Sequence, residues 1–124
     1  MSEDVSQDAP IFDVGVVDAL RDATGGDEEF LRDLVATYRS EGESNLEMMA
    51  TAAARGDTAA IVPPAHTLKS TSASVGAMRL SAISRGIEEA GRARRADGLA
   101  GDVDRAKGAW VETIAALTAA GLLS

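Results

Sequence analysis

Residues 65–90 read AHTLKSTSASVGAMRLSAISRGIEEA, and the spacing of apolar side chains on either side of Gly76 decides the fold. Before the glycine, Ala65, Leu68, Ser72 and Val75 recur every three or four positions. At about 100° per residue they stay within roughly 40° of one direction. After the glycine, Leu80, Ile83, Ile87 and Ala90 repeat the rhythm. A half-buried strand would alternate at every second residue, so this pattern predicts two helices that break at Gly76 and turn their apolar faces to one core.

The same rhythm extends in both directions. Asp13 can cap a short helix that buries Val16, Val17 and Leu20 and ends at Gly25-Gly26. Asp27 caps the next, with Glu28 and Glu29 in a first turn where the helix dipole favours acids. Its apolar series is Phe30, Leu31, Leu34, Val35, Tyr38, Leu46, Met49 and Ala53, with Gly42 and Asn45 loosening the middle, and it runs to Gly56-Asp57. A third helix covers Thr58 to Val75 and carries the first half of the opening stretch. After a gap around Asp97 to Gly101, Asp102 can cap a last helix with Val103, Ala106, Trp110, Ile114 and Leu117 inward. Four helices of this length with short connections predict an all-α, antiparallel up-down four-helix bundle with a short additional N-terminal helix, over residues 11–124. Its expected core includes Phe30, Leu34, Leu68, Leu80, Ile83, Ile87, Trp110 and Ile114. Residues 1–10, acidic and polar without an apolar period, read as a disordered arm.

Composition narrows the function. The chain has 124 residues, enough for one core and too few for two ordinary domains. With no cysteine and one histidine, thiolate and paired-histidine zinc sites are excluded, and no metal or other cofactor is expected. A net charge of -8 opposes nucleic acids and anionic lipid surfaces, which leaves proteins as the expected partners of a monomer. The acidic start is unlike a signal peptide and no apolar run reaches membrane-spanning length, so a cytoplasmic protein is expected. Nucleotide-cradling glycine loops are missing, so the chain should not phosphorylate itself from ATP. Glu28-Glu29 and Glu88-Glu89 read as helix-end and solvated acids. Arg85, Arg92, Arg94 and Arg95 read as a solvated helix face.

One side chain stands apart. His66 lies roughly 140° from the centre of its helix's apolar stripe, facing water, with Lys69 at about 80°, Ala73 at about 120° and Ser70 at about 180°. A cation and two small neighbours leave room for another protein to approach the imidazole. Upstream, Pro63-Pro64 removes the amides that would serve the carbonyls of Ala59 and Ala60, which predicts a short turn over Thr58 to Val62 and a helix restarting near Pro63. That would put His66 near a helix N-terminus, where free N–H groups favour an anion such as phosphate.

The run from His66 to Ala77, HTLKSTSASVGA, followed by Leu80, Ser84, Ile87 and Glu88, resembles the signature of histidine-phosphotransfer domains: His-x-Leu-Lys-Gly-Ser-Ser, three variable residues, Gly-Ala, two more and Leu, then a small residue and an apolar-Glu pair. It departs from that signature at Ser70, where the family usually has glycine. The resemblance implies a four-helix phosphocarrier with His66 as the phosphorylated residue. Lys69 would stabilise the phosphoryl group, Ser70 and Ala73 would border the docking surface, and Gly76 and Ala77 would serve packing. The implied partners are response-regulator receiver domains and a hybrid sensor histidine kinase. Glu88, although it matches the signature, reads as structural. Two rival classes stand beside it: a non-catalytic helical adaptor that inherited the bundle and binds without transfer, and a phosphatase-like helical enzyme that sends a side chain into a receiver's active site to direct water.

Overall fold

Aspartates set the first three helix starts in the computed structural model, which describes residues 8–124. Helix α1 (Val14–Ala23) follows Asp13, α2 (Glu28–Ala54) follows Asp27 and α3 (Thr58–Ser74) follows Asp57. Each aspartate sits in extended backbone and accepts an N–H of the following turn, from Gly15, Phe30 and Ala60, at 2.9 to 3.0 Å. Helices α4 (Met78–Arg92) and α5 (Leu99–Ala119) have no side-chain cap. For α4 the segment before α1 substitutes: the Arg79 N–H donates to the Pro10 carbonyl and its Nε to the Ala9 carbonyl, both at 2.9 Å. The Asp13 N–H donates to the Gly76 carbonyl at 2.8 Å, so this strap closes over the turn between α3 and α4. Gly76 is required there. Its φ is +84°, and a Cβ would lie 2.5 Å from the Asp13 carbonyl oxygen.

Among the described residues there are five helices and no strands. Contacts run in a ring, α2 on α3, α3 on α4, α4 on α5 and α5 back on α2, while α1 touches α2. No described helix is long and apolar enough to cross a membrane. Of the disordered arm expected over residues 1–10, residues 1–7 lie outside the described residues.

Leu68, Leu80, Ile83, Ile87 and Trp110 are buried, as their periodicity demands, and Leu34 and Ile114 are half-buried. Phe30 is a correction, since it is 47% exposed. The buried face of α2 is Leu31, Val35, Tyr38, Gly42, Asn45, Leu46, Met49 and Ala52, and Phe30 lies roughly 100° to its side at the helix's open end.

Helices α2, α3 and α5 also depart from the expected course. Gly42 does not loosen α2, which is continuous from Glu28 to Ala54. The Trp110 indole lies against Gly42 so closely that a Cβ would collide with the ring. Tyr38 packs on the same indole, centroids 5.3 Å apart and planes tilted by 50°. The Tyr38 hydroxyl shares a 2.8 Å hydrogen bond with Ser72 Oγ, tying α2 to α3. Burial pushes the Tyr38 phenol up to about 12, with the Ser72 bond acting the other way.

Asp102 does not cap α5. The helix starts a turn earlier, after Gly98 at φ +82°, because Leu99 is buried at 1% exposure and needs the extra turn to reach the core. Nor does α3 restart at Pro63. The Asp57 cap starts it at Thr58, and both prolines lie within one continuous helix. Ile61, Pro64 and Ala65 are buried and hold its path through the prolines. The two carbonyls that lose donors belong to Ala59 and Ala60, which are exposed, so solvent can satisfy them.

Candidate functional site

The α3 stripe of Ala65, Leu68, Ser72 and Val75 is buried to 2% exposure or less, and this fixes the rotation of the helix. The His66 side chain then stands outward, 55% exposed. It is eight residues beyond Thr58, too deep in α3 for free N–H groups or the dipole of the first turn to act on it. Contrary to the expectation from Pro63-Pro64, no helix terminus serves an anion at His66. The electrostatics come instead from α4.

Toward α3, helix α4 presents Ser81, Ser84, Glu88 and Gly91, a face of small residues with one long acid. Ser81 Oγ donates to the Lys69 carbonyl at 2.8 Å. At Gly91 the helices come so near that a Cβ would sit 2.8 Å from the Thr58 carbonyl oxygen. Ser84 is fully buried. Close approach over these residues brings the Glu88 carboxylate, itself 5% exposed, under the imidazole.

Glu88 Oε2 lies 2.9 Å from His66 Nδ1 and accepts from Arg92 Nη2 at 2.8 Å and Nε at 3.1 Å. Its Oε1 accepts from Lys69 Nζ at 2.6 Å. The hydrogen bond from Lys69 above all, then those from Arg92 and His66, hold the carboxyl at about 2, against burial, which pulls upward. An ionised carboxylate can only accept, so the proton of the neutral imidazole belongs on Nδ1. Nε2 keeps its lone pair and has no hydrogen-bond partner among the described residues, on a side chain that is 55% exposed. With one negative and two positive charges around it, the imidazole stands in a locally cationic site on an acidic protein.

The structure thus brings His66 and Lys69 together through Glu88. Lys69 is not a free cation beside the imidazole: it is 27% exposed and paired with the carboxylate. Ser70 is exposed and Ala73 half-buried on the turns beyond His66. Gly76 and Ala77 are buried in the turn under the N-terminal strap, away from solvent. Sequence reasoning assigned Glu88 to structure and Arg92 to a solvated face, and it missed both as members of the site. A signal was there: Glu88 falls roughly 120° from the centre of the Leu80, Ile83, Ile87 and Ala90 stripe, on the flank shared with Ser81, Ser84 and Gly91.

The sequence pattern of the Hpt domain family matches residues 33–120, and the chain belongs to that family. The structure is similar to the crystal structure of histidine-containing phosphotransfer protein B (HptB) from Pseudomonas aeruginosa PAO1, with a TM-score of 0.77 and 23% identity over 85% of this chain and 89% of that one. The comparison with curated proteins finds no match. Family members are phosphocarriers that work with receiver domains and kinases in two-component systems.

Proposed function

We propose that this chain is a phosphorelay intermediate in which His66 accepts a phosphoryl group from the aspartate of one response-regulator receiver domain and passes it to another. The observation that carries the reading is the contact of His66 Nδ1 with the buried, ionised Glu88, which leaves Nε2 free and 55% of the side chain exposed. In the transfer, the Nε2 lone pair attacks phosphorus, the N–P bond forms, and the P–O bond to the aspartate breaks with its electrons leaving on the carboxylate. The ring gains positive charge while keeping its proton on Nδ1, and Glu88 stabilises that charge through the existing hydrogen bond. Lys69 and Arg92 offset the Glu88 charge, so the incoming phosphoryl oxygens do not meet an uncompensated anion. The metal ion that serves such a transfer would belong to the receiver.

The ring of contacts α2–α3–α4–α5 supports an up-down four-helix bundle with α1 as an added element, forming one monomeric domain over residues 11–124 that works in the cytoplasm. Ser70 and Ala73 border the surface on which a receiver docks. Gly76 and Ala77 hold the α3–α4 turn, and a hybrid sensor histidine kinase is the upstream source of phosphate. The chain does not use ATP itself.

The test is to incubate the protein with receivers carrying labelled phosphate and to map acid-labile label. Wild type should be labelled on His66. His66→Gln should fold nearly as well, since the residue is on the surface, and take no label because the chain has no other imidazole. Stable label on the variant refutes the assignment. Binding without label would identify an adaptor, and discharge of the receiver without label a phosphatase-like protein.

A further inference from the structure

Next to the His66–Glu88 pair, between the start of α3 and the end of α4, lies an open cleft of about 440 Å³. Thr58, Ala59, Val62, Gly91, Arg92 and Arg94 line it. Val62 precedes His66 by one turn, roughly 6 Å along α3, and Arg92 follows Glu88 by one turn on α4. Its floor is apolar at Ala59 and Val62, and its rim carries two guanidinium groups. Pro63 leaves the Ala59 carbonyl without its helical donor on the same wall.

Arg94 is placed there at a cost. The residue after the C-cap is a left-handed glycine in the other four helices, Gly25, Gly56, Gly76 and Gly121. In α4 it is Arg94, at φ +59°, with the Arg94 N–H donating to Gly91 and the Arg95 N–H donating to Ala90 to close the helix end. A side chain in that conformation is disfavoured where glycine is free to adopt it. Arg92 shares its guanidinium with Glu88, whereas Arg94 has no ion-pair partner among the described residues.

We propose that this cleft is the specificity-determining extension of the phosphotransfer surface, and that it seats a receiver-domain element presenting a carboxylate beside an apolar side chain. The proposal rests on the phosphotransfer reading of His66. The apolar side chain fills the space over Ala59 and Val62, and the carboxylate pairs with Arg94. A domain that brings its aspartate onto Nε2 has to cover ground only one turn away, so cleft and imidazole form one continuous surface. In a protein of net charge -8, this rim also turns an acidic partner toward the reacting end, which acts on encounter and partner choice more than on the chemical step.

The test uses receiver domains phosphorylated with acetyl phosphate, and takes the one that loads His66 fastest. Loading rate is followed against receiver concentration at low and high salt for wild type, Arg94→Gly, Arg94→Lys and Arg95→Gln. Arg94→Gly should raise the half-saturating receiver concentration by about fivefold or more and flatten the salt dependence, while melting at or above the wild-type temperature because glycine relieves the left-handed backbone. Arg94→Lys should recover most of the loss, and Arg95→Gln, which removes the same charge outside the cleft, should behave as wild type. Wild-type concentration dependence in Arg94→Gly overturns the proposal, as does an equal loss in Arg95→Gln, which would show a bulk-charge effect. A change in sedimentation between wild type and Arg94→Gly would place a second copy of the chain in the cleft and overturns it too. Absence of label on wild-type His66 overturns the phosphotransfer reading and the cleft proposal together, whereas labelling with unaltered Arg94→Gly kinetics overturns the cleft alone.

Discussion

Replacing Glu88 by glutamine separates the two tasks the structure gives this carboxylate. The substitution keeps nearly the same shape in a site only 5% exposed, so the packing of α4 on α3 should survive. What it removes is the charge. The bond to His66 Nδ1 ceases to be charge-assisted, and an amide can donate as well as accept, so the proton is no longer confined to Nδ1. Hydrogen bonds to charged groups contribute about 1.5–3 kcal/mol and neutral ones about 0.5–1.5, a difference of about 1–1.5 kcal/mol. If that difference is felt mainly as the ring gains positive charge, loading of His66 should slow by about 5- to 13-fold. A second readout is direct, because the chain has one histidine and its imidazole nitrogens can be observed by NMR without ambiguity. Wild type should show the Nδ1–H form, and Glu88→Gln a mixture with Nε2–H. Stability supplies a third. The Glu88 carboxyl is held at about 2, below its ordinary value of 4.5, so its contribution is fully present above about 4.5 and is lost as pH falls from there through 2. The stability gap between wild type and Glu88→Gln should narrow over that window. Wild-type loading rates together with an unchanged Nδ1–H population would refute the account of how the imidazole is held.

Other expectations follow from the same geometry. Ser70→Trp places a bulky side chain on the exposed turn beyond His66: it should melt close to wild type yet slow loading by about tenfold or more, and Ser70→Gly should transfer as fast as wild type or faster, which time courses with one receiver will decide. Gly42→Ala drives a methyl group into the Trp110 ring, and urea unfolding should show a loss of about 1–3 kcal/mol from overpacking; an unchanged midpoint would mean that the ring moves aside freely.

Much of the fold is legible in the sequence because it is carried by local, periodic signals. The Asp13 and Asp27 caps, the glycines beyond the helix ends and the three-to-four spacing of apolar residues each act within a turn or two of the chain. Helix rotation follows from burial of the apolar stripe, which is why His66 could be placed outside and Leu68 inside. The same local rules misled where a distant partner intervenes. Gly42 reads as a weak point until Trp110 is packed on it, and Pro63-Pro64 reads as a break until α3 is anchored at both ends.

The sequence by itself determined that the one histidine faces outward, since His66 lies off the apolar stripe of its helix and periodicity alone sets its direction. Only the tertiary structure decided what holds that imidazole. Glu88 is 22 residues away on another helix, and it meets His66, Lys69 and Arg92 because Ser81, Ser84 and Gly91 let α4 come close to α3. Charge interactions and hydrogen bonds depend on distances between helices, which no spacing along a single helix contains.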